Sequence, residues 1–296
     1  MMFRFQPKFF SIQLTLNSMR LIVLRSGRIR HFAQFTSDTP FLKDGVWQKQ
    51  TAQDFLKEKL ATIAGLHGNT VALSLPEDKT FTKVLTLNKK IDLGNEKDIL
   101  TEIEQYIPVP IQDVYADWQM VSSGIDRTAI AFTASEKKFV DDLLSIFSQL
   151  DLQVLALEPE SHSLVRALLP EHARSEAVCL LEIEETHSTC VVQEGGVIYF
   201  SRRVPNGSWQ NLCRSVRESC QFFTSHLSPA QRPVDHILLC GIRTPTDGDS
   251  LQQIAKLLKY PVFLAQPWGK RKPPASLKND VTAYAFSVAL GLSLRT

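Results

Sequence analysis

One order of elements occurs twice along this chain, and it constrains the fold more than any single motif does. Residues 11–16 alternate apolar and polar side chains, as a half-buried strand does, and residues 19–24 and 29–35 follow as strands, with Ser26-Gly27 placed to turn the chain. A helix over residues 51–63 carries Phe55, Leu56, Leu60 and Ile63 on one stripe and is closed by Gly65. Residues 70–75 return as a strand ending before Pro76. The order starts again with strands over 177–183, 188–192 and 197–204, with Glu194-Gly195-Gly196 as a hairpin turn. A helix with Trp209, Leu212, Cys213, Val216, Cys220 and Phe223 at helical intervals follows. A strand over 234–240, a helix over 251–258 and a strand over 262–265 complete the second copy. Two copies of meander, helix and strand imply a duplicated α/β fold with a cleft between its halves.

Between the copies lies a block of different order. Residues 81–87 alternate as a strand, and Gly94-Asn95 precedes a helix with Ile99, Leu100 and Ile103 on one face. Pro108 and Pro110 end that helix, because a proline disfavours helical geometry in the residue before it. Strands over 115–121 and 128–133 lead to a helix with Ser135 as N-cap and Phe139, Val140, Leu143, Leu144, Phe147 and Leu150 along its stripe. A strand over 153–157 closes the block, and Pro159 opens a helix carrying Leu164, Val165 and Leu168. The reading is a first subdomain over 1–75, an inserted small α/β subdomain over 76–155 and a second half over 156–276. A C-terminal helix over 277–296, with Val281, Tyr284, Ala285, Val288, Ala289 and Leu292 as its apolar face, packs back on the first half.

Composition excludes several classes. The 33 basic and 31 acidic residues leave a net charge of +2, too small for a broad field toward nucleic acid. No stretch approaches the roughly 20 consecutive apolar residues of a spanning helix, and residues 1–8 lack a secretory pattern. Five cysteines, an odd number without C-x-x-C spacing, read as buried and reduced, which points to the cytoplasm. His162, His172 and His187 have no metal-ligand spacing, and Ser188 and Ser208 lack a nucleophile elbow. The run Lys270-Arg271-Lys272-Pro273-Pro274 reads as a stiff solvated linker, with contact to anionic headgroups as its alternative. The apolar corner Ile107-Pro108-Val109-Pro110-Ile111, with Tyr106, Tyr115 and Trp118 around it, is either packed beneath another element or presented to a partner.

Particular motifs carry a family resemblance. Leu100-Thr101-Glu102-Ile103-Glu104-Gln105-Tyr106-Ile107-Pro108-Val109-Pro110 resembles the E-x-E-Q-Y-I-P-F-P helix ending of the PilM family of type IV pilus assembly proteins. Val114-Tyr115-Ala116-Asp117-Trp118-Gln119 stands at the distance of that family's D-Y-Q strand. Asp151-Leu152-Gln153-Val154 with Glu158-Pro159-Glu160-Ser161 is similar to its junction into the second half, and residues 285–295 to its closing A-x-G-L-A-L-R. The division protein FtsA and the cytoplasmic domain of the type II secretion protein GspL are neighbouring branches. The resemblance implies an actin-like ATPase (ribonuclease H-like) duplicated fold with an inserted small α/β subdomain.

It also locates the nucleotide motifs. The first phosphate loop, G-I-D-I-G-S-S-S-I-K-L in the family, falls on residues 11–21. There Gln13 replaces the aspartate that acts on a metal-bound water, and Thr15 crowds the approach that glycine allows. Ser18 and Arg20 remain, and Arg20 is placed to face an anion. The second loop, D-I-G, reads Glu182-Ile183-Glu184 here, followed by Glu185, and its carboxylates would repel a phosphate. At a strand end these acids read as a solvated cluster, with a divalent-ion site as the alternative. The adenosine motif keeps only Gly241, and Ile242 stands where an adenine ring would lie.

The expected function is a non-catalytic, actin-like cytoplasmic scaffold of a type IV pilus, type II secretion or competence machine, without ATP or magnesium and without a metal site. The resemblance implies capture of the N-terminal cytoplasmic tail of a single-pass inner-membrane partner, PilN, with the protein peripheral to that membrane. It further suggests contacts with the secretion ATPase and platform protein and leaves homo-oligomers open. The expected groove between the first and inserted subdomains has Thr70–Leu75, residues 81–87 and the helix after Asn95 as walls, which singles out Leu73, Leu75, Phe81, Ile99, Ile103 and Ile107. The alternatives are a nucleotide-binding ATPase switch of the same machinery, or a sugar kinase. The kinase would need a catalytic aspartate at the cleft base, and none occurs in residues 1–34.

Overall fold

A computed structural model describes residues 9–63, 66, 68–87, 95–124, 127–169, 175–229, 231–269 and 282–295. The readings made for residues 1–8, Gly65, Gly94, His172, Lys270 to Pro274 and Val281 lie outside them.

The chain begins with an antiparallel meander of β1 (Phe10–Leu14), β2 (Ser18–Arg25) and β3 (Arg28–Thr36). Ser26 and Gly27 both take positive φ, 50° and 72°, the twist a two-residue hairpin needs. A short hairpin, β4 (Leu42–Lys43) and β5 (Val46–Trp47), leads to α1 (Lys49–Ala61), and β6 (Thr70–Leu75) lies parallel to β1. Then come β7 (Thr80–Leu87), α2 (Glu96–Glu104), β8 (Val114–Ser123), β9 (Thr128–Glu136), α3 (Lys137–Ser148) and β10 (Gln153–Pro159). The connecting helix α4 (Glu160–Leu168) opens the second half: β11 (Val178–Ile183), β12 (His187–Glu194), β13 (Val197–Pro205), α5 (Trp209–Phe222), β14 (His236–Cys240), α6 (Gly248–Leu258) and β15 (Val262–Leu264). The described chain ends in α7 (Thr282–Ala285) and α8 (Ser287–Ser293).

The two halves share one strand order. The first sheet runs β10-β6-β1-β2-β3, and the second sheet begins β15-β14-β11-β12-β13. In each, the first three strands are antiparallel neighbours, and the fourth and fifth add in parallel on the other side. Helices cover both faces, so β1 and β11 are buried along their whole length.

This duplication corrects the expected boundaries. The segment 76–155 is not one inserted unit, because β10 pairs with β6 and α3 packs in the core of the first sheet through Phe139, Val140, Leu143, Ile146 and Phe147. The insertion is confined to β7, α2, β8 and β9, between β6 and α3. Its strands extend the second sheet in the order β13-β7-β9-β8, joined by the single pair Phe200↔Lys83. Helix α2 covers one face of this extension and buries Ile99, Ile103 and Ile107 against Leu85, Ile130 and Phe132. The proline corner is therefore packed, with Val109 and Ile111 partly buried on the same core.

Helices α4 and α8 occupy equivalent places, each after the fifth strand of its half, and pack against each other between the two sheets. Their approach demands glycine at Gly291, where a Cβ would stand 1.9 Å from the carbonyl oxygen of Ser163. Two local expectations change. Ser135 lies within β9 and donates its hydroxyl to the Lys79 carbonyl (2.8 Å), while Glu136 occupies the N-cap of α3. The last helix breaks at Phe286 into α7 and α8. All five cysteines are buried and free.

Candidate functional site

The positions matched to the phosphate loops converge between the halves, where they bond to one another. In the β1–β2 turn the Thr15 N–H donates to the Ser18 carbonyl (2.9 Å), the Ser18 N–H donates to Thr15 Oγ1 (3.1 Å), and the two hydroxyls lie 2.7 Å apart. Gln13 and Arg20 face each other across the β1–β2 ladder, so both side chains leave the same face of the sheet. Arg20 Nη1 donates to Gln13 Oε1 (3.3 Å), and its two terminal nitrogens clasp Glu184 at 2.9 and 2.6 Å. Gln13 Nε2 donates to Glu160 Oε1 at 3.1 Å. Glu160 Oε2 accepts from the Glu77 N–H (3.3 Å) and lies 3.5 Å from Arg203 Nη2. Glu77 in turn accepts from the Ser161 N–H (3.0 Å), and Arg203 pairs with Asp78 at 2.9 Å.

Burial governs the protonation of this cluster. The Glu182 carboxyl is pushed well above the carboxylate range, chiefly by burial and then by Glu184 and Glu160. Burial raises Glu77 to about 7, against bonds from Ser201 and Ser161. It also raises Glu160, against Arg203 and the Gln13 amide. For Arg20 burial acts to lower the value, but Glu184 outweighs it and the guanidinium stays charged. His187, buried and close to Arg203 and Arg20, falls to about 3 and is neutral.

The acids expected as a solvated cluster are thus divided. Glu182 and Glu184 are buried, and only Glu185 is exposed, 3.6 Å from Arg243. Gly241 earns its glycine from packing: at φ 99° a Cβ would meet the Ile183 carbonyl oxygen at 2.4 Å. This set of groups does not fit a nucleotide's phosphates. The N–H groups of Thr15 and Ser18 are used within their own turn, that of Glu184 donates to the His187 carbonyl (2.9 Å), and Glu184 carries negative charge into the space.

The six residues chosen as partner walls do not line a groove. Leu73 and Leu75 are buried in the core of the first sheet, and Ile99, Ile103 and Ile107 in the core beneath α2, where Phe81 packs partly buried. One open groove among the described residues lies on the opposite face of the inserted sheet, and another lies beside α2 between Asn95, Leu100, Thr101 and Ile111. The first has a volume of about 410 Å³, with Thr82, Thr133, Asp117 and Gln119 on its floor and Leu157, Glu158, Pro159, His162, Arg166 and Arg295 along its wall. Thr82 and Thr133 are cross-strand neighbours with hydroxyls 3.3 Å apart. Glu158 anchors the wall, accepting from Arg166 (2.5 and 2.9 Å), Ser163 (2.5 Å) and Arg295 (2.5 Å). Burial works to raise the Glu158 carboxyl, but Arg166, Ser163 and Arg295 hold it below its usual range. Burial lowers His162, whose Nδ1 has no hydrogen-bond partner among the described residues. The strand's own alternation held the missed signal: Asp117 and Gln119 are polar where Ala116 and Trp118 are apolar, so this end of the face stays open, while Val84, Ala129 and Ala131 further along it pack on the second half's core.

A family model described as type IV pilus assembly protein PilM matches residues 12–210. The chain belongs to the PilM family. A solved structure described as a PilM-PilN type IV pilus biogenesis complex is similar to this PilM-family chain at TM-score 0.81 and 16% identity, over 98% of each chain. The cytoplasmic domain of EpsL, an inner-membrane component of the type II secretion system of Vibrio cholerae, is similar at TM-score 0.52 and 10% identity, over 97% of this chain and 95% of that one. A Bacteroides thetaiotaomicron protein with an actin-like ATPase fold is similar at TM-score 0.54 and 9% identity, over 97% and 96%. The fold is therefore actin-like. No curated protein matches the chain by sequence. Among the described residues no helix is long and apolar enough to cross a membrane.

Proposed function

We propose that this PilM-family chain is a non-catalytic scaffold of a type IV pilus, type II secretion or competence machine, and that it captures the cytoplasmic tail of a PilN-like inner-membrane protein. The observation that carries the reading is the Arg20–Glu184 pair, which spans the cleft between the halves and takes up Arg20, the cation placed to face an anion. A chain of this fold whose cleft is bonded to itself has its use in its surfaces. The likeness to a PilM-PilN complex supports a PilN-like partner.

The tail's seat in this reading is the groove between the inserted sheet and α4. Strand β10 is the outer strand of its sheet, and its last residues form part of the groove wall, so an extended segment can gain main-chain bonds there. Held through such a tail, the protein works at the cytoplasmic face of the inner membrane. Contacts with the secretion ATPase and platform protein, and self-assembly, belong to the same proposal.

Two measurements test it. Millimolar Mg-ATP is expected to leave the melting temperature unchanged, and a rise would favour the nucleotide switch. Gln119→Arg, which fills the groove floor with a long charged side chain, is expected to abolish co-purification with the membrane partner while the protein stays folded. Normal co-purification of that variant would move the capture site elsewhere.

A further inference from the structure

The first turn of α4 takes part in two places at once. Glu160 turns into the buried cluster between the halves, while Glu158 just before it and His162 just after it line the groove. The opposite side of the groove, the inserted sheet, enters the fold at Glu77 and Asp78, and both are tied to the same cluster. Glu77 and α4 hold each other by two reciprocal bonds: the Glu77 N–H on the Glu160 carboxylate and the Ser161 N–H on the Glu77 carboxyl. Asp78 is held by Arg203, which also approaches Glu160. On its other flank the insertion meets β13 through one ladder pair and packs Val84, Ala129 and Ala131 against the core that holds Tyr199 and Phe200. That apolar packing holds the far side of the inserted sheet, and these polar ties fix the side that faces α4.

We propose that the cluster of Arg20, Glu184, Glu160, Glu77, Asp78 and Arg203 is a positioning device that sets the width of the groove and with it the affinity for the segment the groove takes. The inference rests on the reading of that groove as the partner's seat. Neither Glu77 nor Asp78 lines the groove, so any effect of changing them on capture must travel through the spacing. The cluster also explains why buried acids persist in a cleft that does not fit a nucleotide: they brace three elements against one another. Glu77 further places its carboxyl at the N-terminus of α4, where the N–H of Ser161 needs an acceptor.

The test measures binding of a synthetic peptide, the N-terminal cytoplasmic segment of the PilN-like protein encoded in the same genome, to the full chain by fluorescence anisotropy. Glu77→Ala and Asp78→Ala are each expected to weaken binding about fivefold or more, well below their melting temperatures. Glu77→Gln keeps an oxygen for the Ser161 N–H and is expected to bind within about twofold of the native chain. Leu258→Ala, buried in the core under α5 and α6, lowers stability away from both sites and is expected to leave affinity unchanged. If Glu77→Ala does not fold, Asp78→Ala decides alone, since Asp78 is substantially exposed. Native affinity in Asp78→Ala, or an equal loss in Leu258→Ala, overturns the positioning role. Gln119→Arg separates the two readings: if it abolishes binding while the cluster variants bind normally, only the positioning role fails. If Gln119→Arg binds normally, the groove itself is wrong.

Discussion

Arg20 on β2 and Glu184 beyond the end of β11 form a bidentate pair at 2.9 and 2.6 Å, with only 2% and 6% of their side chains exposed, and so join the two halves across the cleft. Pairs of this kind are costly to break from one side, because the remaining charge is left buried without a partner.

Arg20→Met is expected to lose about 3–5 kcal/mol of stability in urea denaturation. The double variant Arg20→Met with Glu184→Met, which removes both charges, is expected to recover most of that loss. A double variant as unstable as the single one would show that the pair contributes through shape rather than charge.

Rebuilding the first phosphate loop alone is expected to leave nucleotide binding unrestored. Gln13→Asp with Thr15→Gly leaves Glu184 in the cleft and Ile242 beside Gly241. Calorimetry with Mg-ATP at millimolar concentration is expected to give no heat of binding. Micromolar affinity in this variant would contradict the account of the second loop.

The acids of the cleft give stability an unusual pH dependence. Glu77 has a carboxyl raised from the ordinary value of 4.5 to about 7, so between those values the folded chain binds more protons than the unfolded one. Its contribution is full below about pH 4.5 and is lost as the pH rises through about 7. Glu182 and Glu160, also raised by burial, act in the same direction. Glu77→Gln, which cannot ionise, is expected to gain on the order of 2–3 kcal/mol relative to the native chain between pH 5 and pH 8. Parallel pH profiles of the two would sink the assignment.

The α4–α8 contact is intolerant of a single methyl group. Gly291→Ala puts a Cβ against the Ser163 backbone, which has no flexible end to yield. A loss of at least about 1–3 kcal/mol is expected, read as a lower melting temperature. Gly195→Ala is a fitting comparison for crowding, because open space surrounds that position, although its own positive φ of 65° carries a backbone cost.

Apolar runs bounded by turn residues located β2 and β11, which are buried over most or all of their length. The limits of the insertion were harder to read. The first half is interrupted between its fourth and fifth strands, so β10 follows a foreign block in sequence while pairing with β6 in space. No local pattern distinguishes a strand that closes an insertion from one that resumes an interrupted sheet. The cleft was half legible: Gln13, Arg20 and Glu184 stand out at motif positions, but Glu77, Glu160 and Arg203 join them only through the fold. The partner walls failed for a plain reason. Apolar residues at regular spacing mark a core, and the groove floor mixes Thr82, Asp117, Gln119 and Thr133 with Ala131.

The shared strand order of the halves shows where the body tolerates an addition. The place occupied by the insertion, between the fourth strand and the next helix, corresponds in the second half to the plain loop of residues 241–247. Thr80 and Ser135 face each other in the ladder, so the insertion leaves and re-enters its host side by side. With both ends on one ladder pair, a block of another length fits the same footing without moving any strand of the duplicated body.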